Sequence, residues 1–208
     1  MLIDWPRFLA ALALLLAPVV LFHHRRVRLR HLDREWTGYF SRALNLGTHY
    51  IDAGRAALGA LLLLESLTVS PGAAGNAQWV LLGTQAAVLT LGSMIQTLVC
   101  REAGAAHAPF AYVSGLALGF FPIIPACIAL IFSVAVVMGV RHAVSFFPVL
   151  AVALAATCHL LSGGLTIVRI AVGSFVVVLP WLLTLLFPRP MMASHMARRV
   201  HDKPDPRR

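Results

Sequence analysis

The sequence predicts an all-α fold, a polytopic transmembrane helical bundle with a Pro-broken helical hairpin, and three observations predict it. Apolar residues make up 59% of the 208-residue chain and charged ones only 12%, where a soluble domain carries about a quarter. Almost all the charge is gathered in residues 23–55, in a patch at 101–107 and in the tail after Pro188, with long apolar runs between them. Runs of about 20 apolar residues match a hydrocarbon core roughly 30 Å thick, and backbone amides there must be satisfied within the segment, so the runs are helices.

The expected division follows from the charges. Residues 1–22 form an N-terminal signal-anchor-like helix, 23–50 a basic cytoplasmic amphipathic segment, 51–187 the transmembrane bundle, and 188–208 a basic cytoplasmic tail. The polar segment 23–50 is too short to bury a core of its own.

The first run, 8–22, begins near Trp5 and is followed by the charges His23-His24-Arg25-Arg26-Val27-Arg28-Leu29-Arg30. A signal peptide places its charge before the run and a cleavage site after it. The reverse order here predicts an anchor with its N-terminus outside and its arginines in the cytoplasm. Pro18 is expected to kink it, and a run of roughly 15–18 residues is short for a full span. In 23–55, Val27, Leu29, Leu32, Trp36, Tyr39 and Phe40 alternate with arginines, the pattern of a basic segment lying on a membrane surface.

A helix over 51–69 comes next, in which Asp52 and Arg55 are spaced to pair on one face. Ser70-Pro71-Gly72-Ala73-Ala74-Gly75-Asn76 is an uncharged turn suited to the translocated side. Helix 78–99 then descends from Trp79 to Cys100-Arg101-Glu102.

Residues 109–140 decide the topology. If they cross once, Arg141 and the arginine-rich tail fall outside, against the positive-inside tendency. If they fold back at Phe120-Phe121-Pro122-Ile123-Ile124-Pro125, where two prolines break the helix, Arg141-His142 returns to the cytoplasm. Helix 143–161 then rises, Ser162-Gly163-Gly164 turns outside, and 165–187 descends to the tail. The hairpin satisfies every charged loop and is the expected arrangement.

Glu65 and Arg169 remain well inside apolar runs. A charge there faces a partner or a cavity. In the hairpin topology both lie at similar depth, which predicts a structural ion pair; the alternatives are outward snorkelling and a transport role. Gln85, Gly92 and Gln96, with Ser93 beside them, fall near one helical face suited to interhelical hydrogen bonds or a polar lining. Gly115 and Gly119 form a GxxxG.

No catalytic, metal-binding or cofactor-binding constellation emerges. His159 sits within an apolar run without an evident haem partner. Ser114-Gly115 with His159 is only superficially like a rhomboid protease, because Tyr112 stands where that family has Gly. Cys100, Cys127 and Cys158 show neither metal nor disulfide spacing.

The net charge of +9 sits beside apolar runs, so the expected partners are anionic lipid headgroups, contacted by Arg25, Arg26, Arg28, Arg30, Arg198 and Arg199. No stacking aromatics or groove-reading motif accompanies these arginines, so nucleic acid is not an expected partner. Arginine outnumbers lysine sixteen to one and alanine is abundant, a usage that fits a GC-rich bacterium and its inner membrane.

Residues 109–161 read PFAYVSGLALGFFPIIPACIALIFSVAVVMGVRHAVSFFPVLAVALAATCHLL. The Tyr ahead of a small-residue helix, the Pro-rich break, the step Gly139-Val140-Arg141 and the Ala-rich helix after it resemble the C-terminal half of the Yip1 domain. The resemblance implies a multispanning, non-enzymatic membrane protein; eukaryotic members are linked to vesicle trafficking. The anchor-like start and the helix 165–187 depart from the family's five-helix plan, and no functional residue carries over. The expected function is an accessory or scaffold subunit of a membrane assembly. The alternative is a small transporter or channel with a polar path near Glu65, Arg169 and Gln85.

Overall fold

The computed structural model describes residues 2–18, 27–31, 47–69, 75–99, 105–162, 167–187, 189 and 191–196. Seven α-helices run through these residues: α1 (Trp5–Leu16), α2 (Gly47–Ser66), α3 (Gly75–Leu98), α4 (Phe110–Phe120), α5 (Ile123–Val140), α6 (Phe146–Leu161) and α7 (Ile167–Leu186). Short strands join them: β1 (Leu2–Ile3), β2 (Val27–His31), β3 (Leu67–Thr68), β4 (Ala106–His107) and β5 (Met191–Met196). Helices α3, α5, α6 with the turn before it, and α7 are long and apolar enough to cross a membrane. Ile124, Ile131, Phe132, Val152, Leu160 and Leu186 all stand more than half exposed on the outside. Lipid rather than water solvates such a surface, and the chain is a multi-pass membrane protein.

Strand pairing fixes the two ends of the bundle. At one end β1 pairs antiparallel with β3, Leu2 opposite Thr68 and Ile3 opposite Leu67. At the other, β2, β5 and β4 form a three-stranded sheet in that order, next to the start of α4 and the end of α7. Segments 27–31 and 191–196, which flank the two arginine clusters, therefore share one end of the molecule.

Helix directions follow from side-chain register. Gly115 and Gly119 of α4 lie against the backbones of Ala53 and Ala57 of α2, so these helices run parallel. The four-residue spacing presents two hydrogens on one face and lets the backbones approach closely. Ala86, Ala87, Thr90 and Leu91 of α3 line one groove with Ala171, Val172 and Phe175 of α7, and beyond it Ser93 meets Val176, so α3 and α7 run parallel too. α6 runs antiparallel to α5, with the Thr157 hydroxyl 3.2 Å from the Pro125 carbonyl.

α4 thus runs away from the basic end and α5 returns to it, the hairpin that the charged loops required. Its apex is Phe121 (φ −103°, ψ 161°) and Pro122 (φ −57°, ψ 140°), both extended. The residue before a proline is driven out of helical conformation by the ring. Pro125 instead sits in the first turn of α5, where an amide is not needed. Arg141 closes α5 in the left-handed conformation, φ 57°.

Three boundaries differ from the sequence reading. The first helix is Trp5–Leu16 rather than 8–22; its 12 residues reach only about 18 Å, too short to cross. Val27–His31 is a strand paired with Met191–Met196 of the tail rather than a free amphipathic segment. α2 starts at Gly47 rather than at residue 51, so its first turn falls within the segment assigned to the cytoplasm, and Asp52 and Arg55 are buried. The turn 70–74, Cys100, Arg101, Trp36, Gly163 and Gly164 lie outside the described residues.

Gly119→Val should be among the most damaging single changes, because a Cβ there collides with the Ala57 carbonyl oxygen. We expect a loss of roughly 1–3 kcal/mol in reversible unfolding of the bilayer-reconstituted protein. Gly139→Ala, with nothing within 4 Å of the new Cβ, should leave stability unchanged.

Candidate functional site

A helix carbonyl loses its amide partner at the last turn, or when the residue four places on is proline. In hydrocarbon each unsatisfied group costs several kcal/mol. Three helices here are opened by proline, at Pro18, Pro122 and Pro180, and polar side chains from other elements meet each opening.

Helix α1 begins firmly, with the Asp4 carboxylate accepting from the Arg7 amide and Pro6 in the first turn. It stops because Ala17, ahead of Pro18, is extended (φ −61°, ψ 119°). Pro18 offers no amide to the Leu14 carbonyl. Arg55 of α2 replaces it: Nη1 donates to both Leu14 O and Ala17 O at 2.6 Å. The Tyr112 hydroxyl of α4 donates to Leu15 O at 3.0 Å, and Gln96 Nε2 of α3 donates to Ala17 O at 2.8 Å.

Three helices thereby grip the end of a fourth. Asp52, one turn before Arg55, accepts from Arg55 Nε at 2.7 Å, so the buried charges are paired. The two residues are 2% and 7% exposed. The guanidinium also lies 5.3 Å from the centre of the Tyr112 ring, and its positive charge complements the negative end of the α1 dipole. Gly92 makes room for the Tyr112 hydroxyl, which any β-carbon there would strike.

The second opening lies inside α7, where Pro180 interrupts the helix and leaves the Val176 carbonyl without its amide. Ser93 of α3, fully buried, donates its hydroxyl to that oxygen at 3.3 Å. The third is the end of α4 before Pro122. There Arg169 Nη2 of α7 donates to Phe120 O at 3.1 Å, and the guanidinium carbon sits 5.1 Å from the Phe120 ring centre.

Glu65 and Arg169 do not form the expected ion pair. Glu65 is 63% exposed and lies 3.8 Å from Arg7 Nη1. The reason is α1: its start is tied beside the end of α2 by the Asp4 amide bonded to Ser66 O, which brings Arg7 to Glu65. Arg169 belongs instead to the α4 break.

The Asp52–Arg55 pairing holds as read. The Gln85–Gly92–Gln96 face is buried, and within it Gln96 and neighbouring Ser93 make interhelical hydrogen bonds. Ser114 donates to Phe110 O of its own helix, and His159 is exposed on α6. Cys127 is exposed and Cys158 buried. Arg25, Arg26, Arg198 and Arg199 lie outside the described residues; of Arg28 and Arg30 the strand register alone is described.

Sequence reasoning missed the reach of Arg55 to α1 and the part played by Tyr112. The available signal was Pro18, which demands a donor for Leu14 O, together with an arginine already neutralised by Asp52. Comparison of this chain with family models, with curated proteins and with solved structures yields no match.

The arrangement performs backbone solvation. It replaces missing amides with side-chain donors, and Arg55, Gln96, Tyr112 and Ser93 among them are buried inside the bundle. Ser93→Ala should cost about 0.5–1.5 kcal/mol in bilayer unfolding, within the range of intramembrane hydrogen bonds. In a Pro180→Ala background, where residue 180 regains its amide, the same change should cost almost nothing. Equal costs in both backgrounds would separate Ser93 from the proline.

Proposed function

We propose that the chain is a non-catalytic accessory or scaffold subunit of a membrane assembly, housed in a bacterial inner membrane, in keeping with its Yip1-like segment. One observation carries the reading: Arg55, Gln96, Tyr112, Ser93 and Arg169 are directed at the protein's own carbonyls. A side chain that holds its own fold in this way is committed to structure. The groove between α3 and α7 is lined by Ala86, Ala87, Thr90, Leu91, Ala171, Val172 and Phe175, and Glu65, Gln85 and Arg169 take no part in it.

A second reading, a small transporter, draws on a different observation. α1 and α4 are short apolar helices of 12 and 11 residues whose ends are met by side chains of other helices, and discontinuous helices form ion and substrate sites in transporters. In this chain the cation-attracting carbonyls at the end of α1 are already filled by the Arg55 guanidinium, which favours the structural reading.

Gentle detergent extraction of the affinity-tagged chain from its own membranes tests the choice. A stoichiometric second membrane protein is the expected result. A lone oligomer whose ion flux in proteoliposomes changes on Gln85→Ala would overturn it in favour of transport.

A further inference from the structure

We propose that Asp4, Arg7 and Glu65, at the end of the bundle closed by β1 and β3, bind the headgroup of a zwitterionic phospholipid with a primary ammonium, the chemistry of phosphatidylethanolamine. The inference is independent of the subunit reading.

The fold builds this cluster. Asp4 caps α1, its carboxylate accepting from the Arg7 amide at 3.3 Å, and the Asp4 amide donates to Ser66 O at 2.9 Å. With Leu2 opposite Thr68 and Ile3 opposite Leu67, the start of α1 is fixed beside the end of α2. Arg7 then stands between two carboxylates, Nε 3.2 Å from Asp4 Oδ2 and Nη1 3.8 Å from Glu65 Oε2. The Arg7 and Glu65 side chains are 55% and 63% exposed, so the pair faces outward and is open to a ligand.

Helix register gives its depth. α1 runs parallel to α3, because Gly92 lies against the Leu15 carbonyl and Gln96 reaches Ala17. Ser93 of α3 meets Val176 of α7. Eight residues back from Leu15 and Gly92 stand Arg7 and Thr84; nine back from Ser93 and Val176 stand Thr84 and Ile167. Arg7 is thus level with the first residue of α7, a helix long and apolar enough to cross a membrane. The cluster lies where that apolar stretch begins. Trp5, 59% exposed and edge-on to Phe8, is a residue type that gathers at such interfaces.

Charges facing outward at this boundary need partners, and their signs select them. One guanidinium between two carboxylates leaves a negative charge over, which disfavours an anionic headgroup. An ethanolamine headgroup carries a phosphate and an ammonium joined by a short link, and meets an adjacent guanidinium and carboxylate. The outward N–H groups of Arg7 suit a phosphate oxygen. Glu65 accepts from the ammonium, and the Trp5 ring attracts the same cation. A choline headgroup carries the same charges but has no N–H to donate.

The full chain is reconstituted in phosphatidylcholine nanodiscs with a minor fraction of phosphatidylethanolamine, and retained lipid is counted by native mass spectrometry. The native chain should prefer the ethanolamine lipid roughly ten-fold, as one charge-assisted hydrogen bond provides. Glu65→Gln should abolish the preference and keep the helical content and monodispersity of the native protein. A second measurement needs no variant: successive N-methylation of the ethanolamine should lower retention stepwise to that of choline lipid. An unchanged preference in the folded Glu65→Gln protein, or equal retention across the methylation series, would overturn the site. Loss of the preference on adding a chelator would also overturn it, by making a divalent cation the ligand of the two carboxylates.

Discussion

Hydrocarbon offers a peptide carbonyl no partner, and that constraint organises this molecule. Continuous helices meet it automatically. A helix that stops or is interrupted inside the slab leaves oxygens that something else must bond. Prolines at 18, 122 and 180 create such oxygens, and donors from neighbouring helices meet them: Arg55, Tyr112 and Gln96 at α1, Arg169 at α4, Ser93 at α7. Because each donor comes from a different helix than the acceptor, solvation of the backbone also holds the helices in place.

The grip on α1 is the most elaborate of the three. A helix of about 18 Å cannot span, yet its start is tied to the end of α2 through β1 and β3, so its other end has to lie within the bundle. An arginine is well suited to that place. It carries several donors, matches the sign of the helix terminus, and has its charge neutralised by Asp52 one turn away. Burial of such a pair adds little net stability over apolar packing, whereas removal of one partner leaves an uncompensated charge. The pair specifies where α1 ends. The glycines at 115 and 119 act with it, because the close approach of α4 to α2 brings Tyr112 to the terminus of α1.

Much of this was legible from the residues. The run lengths, the segregated charges and the uncharged turns gave the membrane class, the hairpin at Pro122 and the boundaries of α3, α6 and α7 to within a few residues. They gave these because they are local: a span needs its own apolar length, and a proline acts on its own neighbours. Long-range polar partners were less readable. Glu65 and Arg169 share a depth, and depth alone suggested a pair, but proximity also depends on rotation about each helix axis and on what else reaches the site. Here α1 brought Arg7 to Glu65, and the α4 break drew in Arg169. The strand at 27–31 was hidden for a similar reason. The Arg–apolar alternation of Val27–Arg30 has a strand's two-residue period, but its partner lies far away in the tail, and nothing local offered a second strand to pair with it. Arg55 was read as the edge of a polar segment because charge usually marks the end of a span; in this chain it marks the end of a different helix.

Arg55, Tyr112, Gln96, Ser93 and Arg169 therefore share one physical task, bonding a carbonyl of a neighbouring helix. The most direct measurement is a solid-state NMR distance in lipid bilayers, between guanidinium nitrogens and the backbone carbonyl carbons of labelled leucine and alanine. The contact is assigned by its disappearance in Arg55→Lys. Given the hydrogen-bond and carbonyl lengths, an Arg55 nitrogen should lie within about 4 Å of the carbonyl carbons of Leu14 and Ala17. If no guanidinium nitrogen approaches either carbon within about 6 Å, a separation no hydrogen bond spans, the end of α1 is solvated in some other way and the account is wrong.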